Sequence, residues 1–493
     1  MAKMLINGEL VDAASGATTE IHNPATGQLV DSVPRADAAD TRRAIDAAAS
    51  AFGTWSKLAP HKRAHLLMQA SARVRSKLED VAALLTAEQG KPIRDSRIEA
   101  ERFADNIEIY AGLIAGGALA GKHVPLPAQK AMGLVVRRPI GVVGAIVPWN
   151  FPLTLMANKI APAMAVGNTV VVKPASTTPL ATLRLAELML EGGLPPGVLN
   201  VVTGPGGVVG EELIRNPLVR KIGFTGETGT GKQVARSAAD ELKHVTLELG
   251  GSDAAIVCDD ADLDVAARNV AIGRFFNAGQ ACLAVKRVFV FDSVADDFIS
   301  RIAARAKRLK LGTGTDETAQ MGPLHTEKQR AEIESQLADA LARGGRLVAG
   351  GARPSGSGFE HGWFFEPTVV VDVPDDARVW TEETFGPLLP IRRVAWDAGF
   401  WPLLERRDER VLREVLGQAD VVRHARQAGD QAWGLDPPDR VDGAVGLDRA
   451  VSWRGQRSSA RCSSRAPRCR ALSRSRCVSC RRRAARRGRS GRR

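Results

Sequence analysis

The chain has 493 residues, of which 44% are hydrophobic, and a net charge of +13. This charge does not indicate a nucleic-acid-binding body, because residues 454–493 contain 16 arginines and no acidic residue, which leaves residues 1–453 with a net charge of −3. The chain shows no secretory leader pattern and no apolar run of membrane-spanning length, so we expect a cytoplasmic protein.

From the N-terminal part to about Val394, apolar runs that predict strands alternate with amphipathic runs that predict helices. The strand-like runs include GVVGAIVPW, NTVVVKP and VRKIGFTG, and the helix-like runs include TPLATLRLAELMLEGG and DADLDVAARNVAIGRFF. Short strands that alternate with helices are typical of an α/β fold with a largely parallel sheet.

After Val394 the composition changes. Residues 395–493 contain no lysine, and their last part is a low-complexity, Arg-rich segment that we expect to be disordered. Arg, Ala, Gly, Ser and Pro without Lys are what a GC-rich gene encodes out of frame, so we hypothesise a shift of reading frame near residues 394–396. The alternative is a genuine basic tail, which would bind polyanions in a salt-dependent way.

Four polar residues stand beside strand-like runs and suggest chemistry. Cys282, in FFNAGQACLAVKR, is a candidate nucleophile, and Glu248, in VTLELGG, is a candidate general base. Asn150, in IVPWNFPL, offers a neutral amide donor for an oxyanion, and Lys173, in VVVKPAS, offers a cation to a cofactor. Taken singly, each residue has a structural alternative: a core cysteine, a solvated carboxylate, a turn asparagine and a surface lysine.

Together these motifs resemble the aldehyde dehydrogenase family. The resemblance covers about Leu5 to Val394 and rests on PWNFP, KIAPAMAVGNTVVVKPAS, GFTGETGTGK, LELGG, FNAGQACLAVKR and EETFGP, which follow one another in the family's order. NPLVRKIGFTG, CDDADLD and FNAGQAC are similar to the succinate-semialdehyde dehydrogenase group. The resemblance implies a Rossmann-type cofactor domain (residues 1–121 and 140–248), an oligomerisation hairpin (122–139) and an α/β catalytic domain (249–394).

The resemblance also implies a mechanism. The Cys282 thiolate attacks the aldehyde, Asn150 and the Cys282 backbone N–H hold the oxyanion, and Glu248 activates the water that hydrolyses a thioester. Because an ordinary thiol with a pKa of about 8.5 is mostly protonated at pH 7, we expect the pKa of Cys282 to be lowered. The expected cofactor is NADP or NAD, and the expected substrate is succinate semialdehyde or a similar small aldehyde.

The cofactor positions that the resemblance implies are Trp149, Asn150, Lys173, Pro174, Ala175, Ser176, Gly226, Glu227, Leu249, Glu383 and Phe385. Two of them depart from the family pattern. Glu227 replaces the usual serine, which puts the phosphate contact at that position in doubt. Ser176 replaces a glutamate of many NAD-preferring members and leaves room for a 2′-phosphate, so we expect NADP to be accepted.

The sequence after Val394 lacks a counterpart to the C-terminal region of the family, whose last strand pairs with a neighbouring subunit. A homodimer or homotetramer is the family expectation, and an inactive, incomplete enzyme is the alternative for the chain as written. We expect no metal site, no membrane partner and no specific nucleic-acid partner. The CVSC motif at residues 477–480 has the spacing of zinc ligands, but no segment with a strand or helix pattern surrounds it, so we do not expect it to bind zinc.

Overall fold

A computed structural model describes residues 1–126 and 131–395. The predictions for residues 396–493, including the disordered tail and the changed reading frame, lie outside the described residues. In the described part of the chain, no helix is both long enough and apolar enough to cross a membrane.

The N-terminal part forms two small hairpins and then four helices. The strands are β1 (Met4–Ile6), β2 (Glu9–Val11), β3 (Thr18–His22) and β4 (Leu29–Pro34). The helices are α1 (Ala38–Trp55), α2 (Pro60–Arg75), α3 (Leu78–Gln89) and α4 (Ile93–Ala115). Asp37 begins α1 with a capping box, because its carboxylate accepts from the backbone N–H groups of Ala39 and Asp40.

An exposed hairpin follows α4. Its strands β5 (Lys122–Leu126) and β6 (Ala131–Val135) pair antiparallel, with Lys122 opposite Val135. Met132 is 67% exposed and Leu134 is 66% exposed, so this hairpin presents apolar side chains to its surroundings. The role of residues 122–139 in subunit pairing stays a prediction.

Strands and helices then alternate to build a seven-stranded sheet. The elements are β7 (Val142–Ile146), α5 (Pro152–Ala165), β8 (Thr169–Lys173), α6 (Leu180–Glu191), β9 (Leu199–Val201), α7 (Glu211–Arg215), β10 (Val219–Thr225), α8 (Thr228–Asp240) and β11 (His244–Glu248). The sheet order is β11-β10-β7-β8-β9-β1-β2, with the first five strands parallel. All five residues of β8 are buried, because helices cover both faces of the sheet.

The register of these strands decides where the candidate residues lie. Ile146 of β7 lies opposite Lys173 of β8, and Thr225 of β10 lies opposite Glu248 of β11. The parallel strands therefore end at one edge of the sheet, and the loops that follow them carry Asn150, Ser176 and Glu227. Ligands of open α/β sheets bind at this edge.

A second sheet contains the remaining elements. They are β12 (Ala254–Val257), α9 (Leu263–Phe275), β13 (Arg287–Phe291), α10 (Asp292–Arg308), α11 (Glu327–Ala342), β14 (Arg346–Ala349), β15 (Thr368–Val371), α12 (Arg378–Thr381) and β16 (Leu388–Val394). The sheet order is β12-β13-β16-β15-β14, and only β14 runs antiparallel to its neighbour. β11 ends the first sheet at Glu248, and β12 begins the second at Ala254. The division into cofactor and catalytic domains stays a prediction.

Candidate active site

A strained turn leads into Cys282. After α9, three consecutive residues adopt left-handed backbone angles: Asn277 (φ 49°), Ala278 (φ 53°) and Gly279 (φ 72°). A Cβ at Gly279 would collide with the carbonyl oxygen of Gly386, so only glycine fits there. Left-handed angles cost free energy in residues other than glycine, and such strain is typical of functional sites. The turn fixes the direction in which the chain reaches Cys282.

Asn150 is fastened to the same turn. Its side-chain amide donates to the backbone carbonyl oxygen of Gln280 at 3.0 Å. Its backbone carbonyl oxygen accepts from the side-chain amide of Asn277 at 3.1 Å. Lys91 Nζ also donates to the Asn150 carbonyl oxygen, at 2.8 Å. The bond to Gln280 uses one of the two amide hydrogens of Asn150, so the other can serve an oxyanion near Cys282.

The environment of the Cys282 thiol corrects one prediction. The thiol is partly buried, and this burial raises its pKa, although the positive charge of Lys286 and the backbone N–H groups of Leu283 and Cys282 act in the opposite direction. The negative charge of Glu383 adds to the rise. The expectation of a lowered pKa is therefore wrong for this chain, because desolvation of the thiolate outweighs the donors around it.

Glu248 is exposed at the end of β11. Burial lowers the pKa of the neighbouring Lys159 to about 8. The negative charge of the Glu248 carboxylate opposes this change, because it favours the ammonium form of Lys159. Lys159 Nζ also donates to the hydroxyl of Thr225, at the end of the neighbouring strand. The carboxylate thus stands at the strand edge, open to water, as a general base requires.

The residues after β8 frame one side of a cavity. Lys173 is 5% exposed, its Nζ donates to the Pro174 carbonyl oxygen at 2.9 Å, and burial lowers its pKa to about 8. Beyond Ala175, Ser176 Oγ donates to the carbonyl oxygen of Gly204 at 3.1 Å. A cavity of about 150 Å³ lies beside Ser176 and is also lined by Thr19, Val33, Arg35, Thr203, Gly204 and Pro205.

The beginning of α8 lies at the same edge of the sheet. Gly226 N–H donates to the Glu248 carbonyl oxygen at 3.1 Å, and Glu227 occupies the N-cap of α8. The Glu227 carboxylate accepts no hydrogen bond from the helix, so it leaves the first N–H groups of α8 open to a phosphate. Leu249 packs against Gly231 of this helix, where a Cβ would collide with its side chain.

A cluster of aromatic rings lies near the cysteine turn. Trp149 stacks on His325 with ring centroids 4.6 Å apart, and Phe385 meets Trp149 edge-on at 5.7 Å. Glu383, two residues before Phe385, pairs with Lys286 at 2.9 Å. Trp149, Glu383 and Phe385, which were predicted from separate motifs, therefore lie around one region.

Three buried residues that hold this arrangement together were not predicted: Lys91, Lys286 and His325. His325 donates its backbone N–H to Gln280 Oε1 at 2.8 Å, and Lys91 pairs with Glu99 at 2.6 Å. Lys286 stands four residues after Cys282, in a motif that was recognised without a role for it. Lys91 reaches Glu99 eight residues later and Asn150 much further along the chain, and His325 bonds Gln280, 45 residues before it, so the strand-end pattern did not indicate these two residues.

Among residues 1–126 and 131–395, no group of three or more His, Cys, Asp or Glu side chains is arranged to hold a metal ion. Cys258 and Cys282 are free cysteines in this part of the chain.

Comparison with known proteins gives a consistent result. A model of the aldehyde dehydrogenase family matches residues 10–398. The NADP(+) succinate-semialdehyde dehydrogenase of Escherichia coli (strain K12) is 44% identical over 394 residues, which is 80% of this chain and 80% of that protein. The glutarate-semialdehyde dehydrogenase of Pseudomonas aeruginosa is 43% identical over 396 residues, 80% of each chain. The crystal structure of succinate-semialdehyde dehydrogenase from Burkholderia pseudomallei matches with a TM-score of 0.79 and 42% identity, and covers 82% of this chain and 83% of that one.

Proposed function

The chain belongs to the aldehyde dehydrogenase family, with its α/β fold and its use of NAD or NADP, and we propose that it oxidises succinate semialdehyde or a similar short semialdehyde to the acid through Cys282. The observation that carries the proposal is the fastening of Asn150 to the cysteine turn by the bond from its amide to Gln280, 3.0 Å long. This bond ties a neutral donor to the turn that leads into Cys282. The semialdehyde substrates named for two relatives support the choice of an aldehyde with a distal carboxylate.

In the proposed mechanism, the Cys282 thiolate attacks the aldehyde carbon, and the new oxyanion accepts hydrogen bonds from the Asn150 amide and the Cys282 backbone N–H. A bound NADP would supply the hydride acceptor, and loss of the hydride from the thiohemiacetal would leave a thioester on Cys282. Glu248 then takes a proton from the water that hydrolyses this thioester. Because burial raises the pKa of the thiol, a base must also remove its proton, and Glu248 is the candidate for this step.

The residues at the sheet edge fit a dinucleotide. Lys173 offers an ammonium group at the end of β8, Glu227 leaves the first N–H groups of α8 uncapped, and Glu383 with Phe385 would clamp the nicotinamide ribose. A carboxylate at Glu227 disfavours a nearby phosphate unless it points away, and its exposure permits that orientation. These positions therefore stay consistent with the implied cofactor site.

The cavity beside Ser176 supports a preference for NADP over NAD. Its only charged lining residue is Arg35, whose exposed side chain forms no ion pair with any residue that the structure describes. A guanidinium group is well suited to a phosphate, because its donors match two phosphate oxygens at once. We therefore assign the cavity to the 2′-phosphate of NADP.

Steady-state oxidation of succinate semialdehyde, followed as NADPH formation, tests the proposed function. Cys282→Ala and Cys282→Ser are expected to abolish turnover, whereas the matched control Cys258→Ser, which alters the exposed free cysteine, is expected to retain it. Turnover near the unmodified level in either Cys282 variant would contradict the assignment.

A further inference from the structure

A buried charge cluster lies beside the cysteine turn, and its two cations, Lys286 and Arg274, have no part in the mechanism above. The side chain of Lys286 is 0% exposed, and its ammonium is 2.9 Å from the Glu383 carboxylate, whose side chain is 30% exposed. The same ammonium lies over the ring of Phe385, 4.6 Å from its centroid. The Glu383 carboxylate in turn lies against Gly250, where a Cβ would collide with it.

The backbone explains why Lys286 points inward. Val285 N–H donates to the Gly273 carbonyl oxygen at 2.9 Å, and Lys286 N–H donates to the Asp253 carbonyl oxygen at 2.9 Å. These bonds fasten the segment between Cys282 and β13 on both sides, so the lysine side chain cannot turn to solvent without breaking them. Burying an ammonium is costly unless an anion pairs with it, and Glu383 is the direct partner.

The charges around Lys286 do not balance. Arg274 is fully buried, and its guanidinium donates to the carbonyl oxygens of Thr384 and Gly386. The cluster therefore contains two buried cations, Arg274 and Lys286, and one directly paired acid, Glu383. Asp253 is exposed at the rim of the cluster, where the charges of Lys286 and Arg287 both act on its carboxylate. The excess positive charge lies next to the turn that carries Cys282.

We propose that Lys286 is a positioning residue for two anions: it holds the Glu383 carboxylate beside the cysteine turn and favours the thiolate form of Cys282. Burial of the thiol is the largest effect on it, and the charge of Lys286 is the largest of the effects that favour the thiolate. The cofactor-binding role of Glu383 rests on the proposed function, but the effect of Lys286 on the thiol does not.

The pH range of the effect follows from the lysine itself. Burial, and then the charge of Arg274, lower the pKa of Lys286 to about 8, while Glu383 acts in the opposite direction. The ammonium is therefore present at pH 7 and is lost as the pH rises through about 8. The effect of Lys286 on the thiol should therefore be strongest below pH 8, where the ammonium is retained.

Alkylation of Cys282 by iodoacetamide, without aldehyde or cofactor, tests the proposal in the full chain. Peptide mass spectrometry follows residues 275–287, which contain Cys282, and residues 244–268, which contain Cys258 as an internal control. At pH 7, Lys286→Met is expected to slow alkylation of Cys282 about tenfold, equivalent to about one pKa unit, and to leave Cys258 unchanged. The ratio of the two Cys282 rates should shrink between pH 7 and pH 9.

Two further variants keep the test decisive. Lys286→Arg, which keeps the positive charge, should restore most of the rate at pH 7. Lys286→Met with Glu383→Gln removes both charges of the ion pair and leaves Arg274 as the buried cation of the cluster. It should alkylate faster than Lys286→Met alone, because it lacks the carboxylate that disfavours the thiolate. An unchanged rate in a folded Lys286→Met variant, or equal rates in Lys286→Met and the double variant, would overturn the proposal. Because the reaction needs neither aldehyde nor cofactor, such a result would leave the proposed function standing.

Discussion

Gly279 is a position near the site where no side chain fits. It combines a φ of 72° with a position where a Cβ would collide with the carbonyl oxygen of Gly386. Gly279→Ala is therefore expected to lower the free energy of unfolding by about 2–4 kcal/mol, since backbone strain and a backbone collision add. Urea denaturation measures this loss.

The control is Gly53→Ala in α1, where a Cβ meets nothing within 4 Å. This change should be neutral or should stabilise by up to about 1 kcal/mol, because alanine is the better helix former. A Gly279→Ala variant as stable as the Gly53→Ala variant would show that the turn can relax.

Arg35 supports a prediction about cofactor choice. Arg35→Gln removes the one charged group that lines the cavity beside Ser176 and keeps a polar side chain there. The value of kcat/KM for NADP should fall about tenfold or more, because a charge-assisted contact to a phosphate is lost, while the value for NAD should hardly change. Equal losses with both cofactors would contradict the assignment of the cavity to a 2′-phosphate.

At this scale, sequence patterns identified residues that follow strands and missed residues that support them. Asn150, Lys173 and Glu248 were predicted because each stands at the end of an apolar run, and the structure places all three at one sheet edge. The pKa of Cys282 was mispredicted because the expectation rested on the need for a thiolate at pH 7 and the sequence does not show the burial of the thiol. Lys286 stood in a recognised motif, but its ion pair with Glu383, 97 residues away, left no local signal.

Among the elements, the segment between α3 and α4 connects the N-terminal helices to the site. Lys91 in this segment donates to Glu99 at 2.6 Å and to the Asn150 carbonyl oxygen at 2.8 Å. Glu99 of α4 also accepts from the first N–H groups of α5, those of Leu153 and Thr154. One ion pair thus fixes both the end of the loop after β7 and the start of α5.

Lys91→Met should lower the free energy of unfolding by about 3–5 kcal/mol, because it leaves the Glu99 carboxylate buried without its cation. Adding Glu99→Gln should recover part of that loss, since the double variant buries no unpaired charge. Lys3→Met is the matched control, because Lys3 pairs with Asp12 at 2.7 Å on the surface, where such a pair contributes about 1 kcal/mol or less. Urea denaturation of the four proteins decides the matter, and a Lys91→Met loss as small as that of Lys3→Met would contradict it.

Element types were easier to predict than their connections. The runs GVVGAIVPW, NTVVVKP and VRKIGFTG contain β7, β8 and β10, because a strand covered on both faces is continuously apolar. The left-handed turn at residues 277–279 was not predicted, because Ala278 in its middle does not favour that backbone conformation, although asparagine and glycine adopt it readily. The long-range contact with Gly386 imposes it.

The stability of the whole molecule should depend on pH through His325. This ring is buried between Trp149 and the Gln89 carbonyl oxygen, and burial lowers its pKa to about 4. Its unfolded pKa is about 6.5, so as the pH falls below that value the unfolded chain takes up the proton first. Stability is therefore lost between pH 6.5 and pH 4, and about 2 kcal/mol of this loss has occurred by pH 5.

His325→Gln should remove this part of the acid dependence. The free energy of unfolding, measured at pH 7 and at pH 5, should fall by about 2 kcal/mol more in the unmodified protein than in the variant. Equal losses in the two proteins would show that His325 is protonated in the folded state.

At the scale of the whole chain, the change of composition near Val394 lies close to residue 398, where the family match ends. The shift of the reading frame stays a prediction. The test is to sequence the gene across codons 380–400 and to translate the other frames. One of those frames should encode alternating strand and helix patterns and a Gly-rich loop. If the present frame is confirmed, the hypothesis is wrong, and the activity of the chain as written has to be measured directly.

Covalent catalysis by Cys282 is the central claim, and a single-turnover measurement tests it most directly. Glu248→Gln should form NADPH from succinate semialdehyde and NADP slowly, because the thiol has lost the base proposed to remove its proton, and should stop after about one NADPH per active chain, because the thioester is not hydrolysed. Mass spectrometry of residues 275–287 should show Cys282 acylated in that variant. If the variant forms NADPH continuously at the unmodified rate, or forms it while Cys282 stays unmodified, the proposed mechanism is wrong.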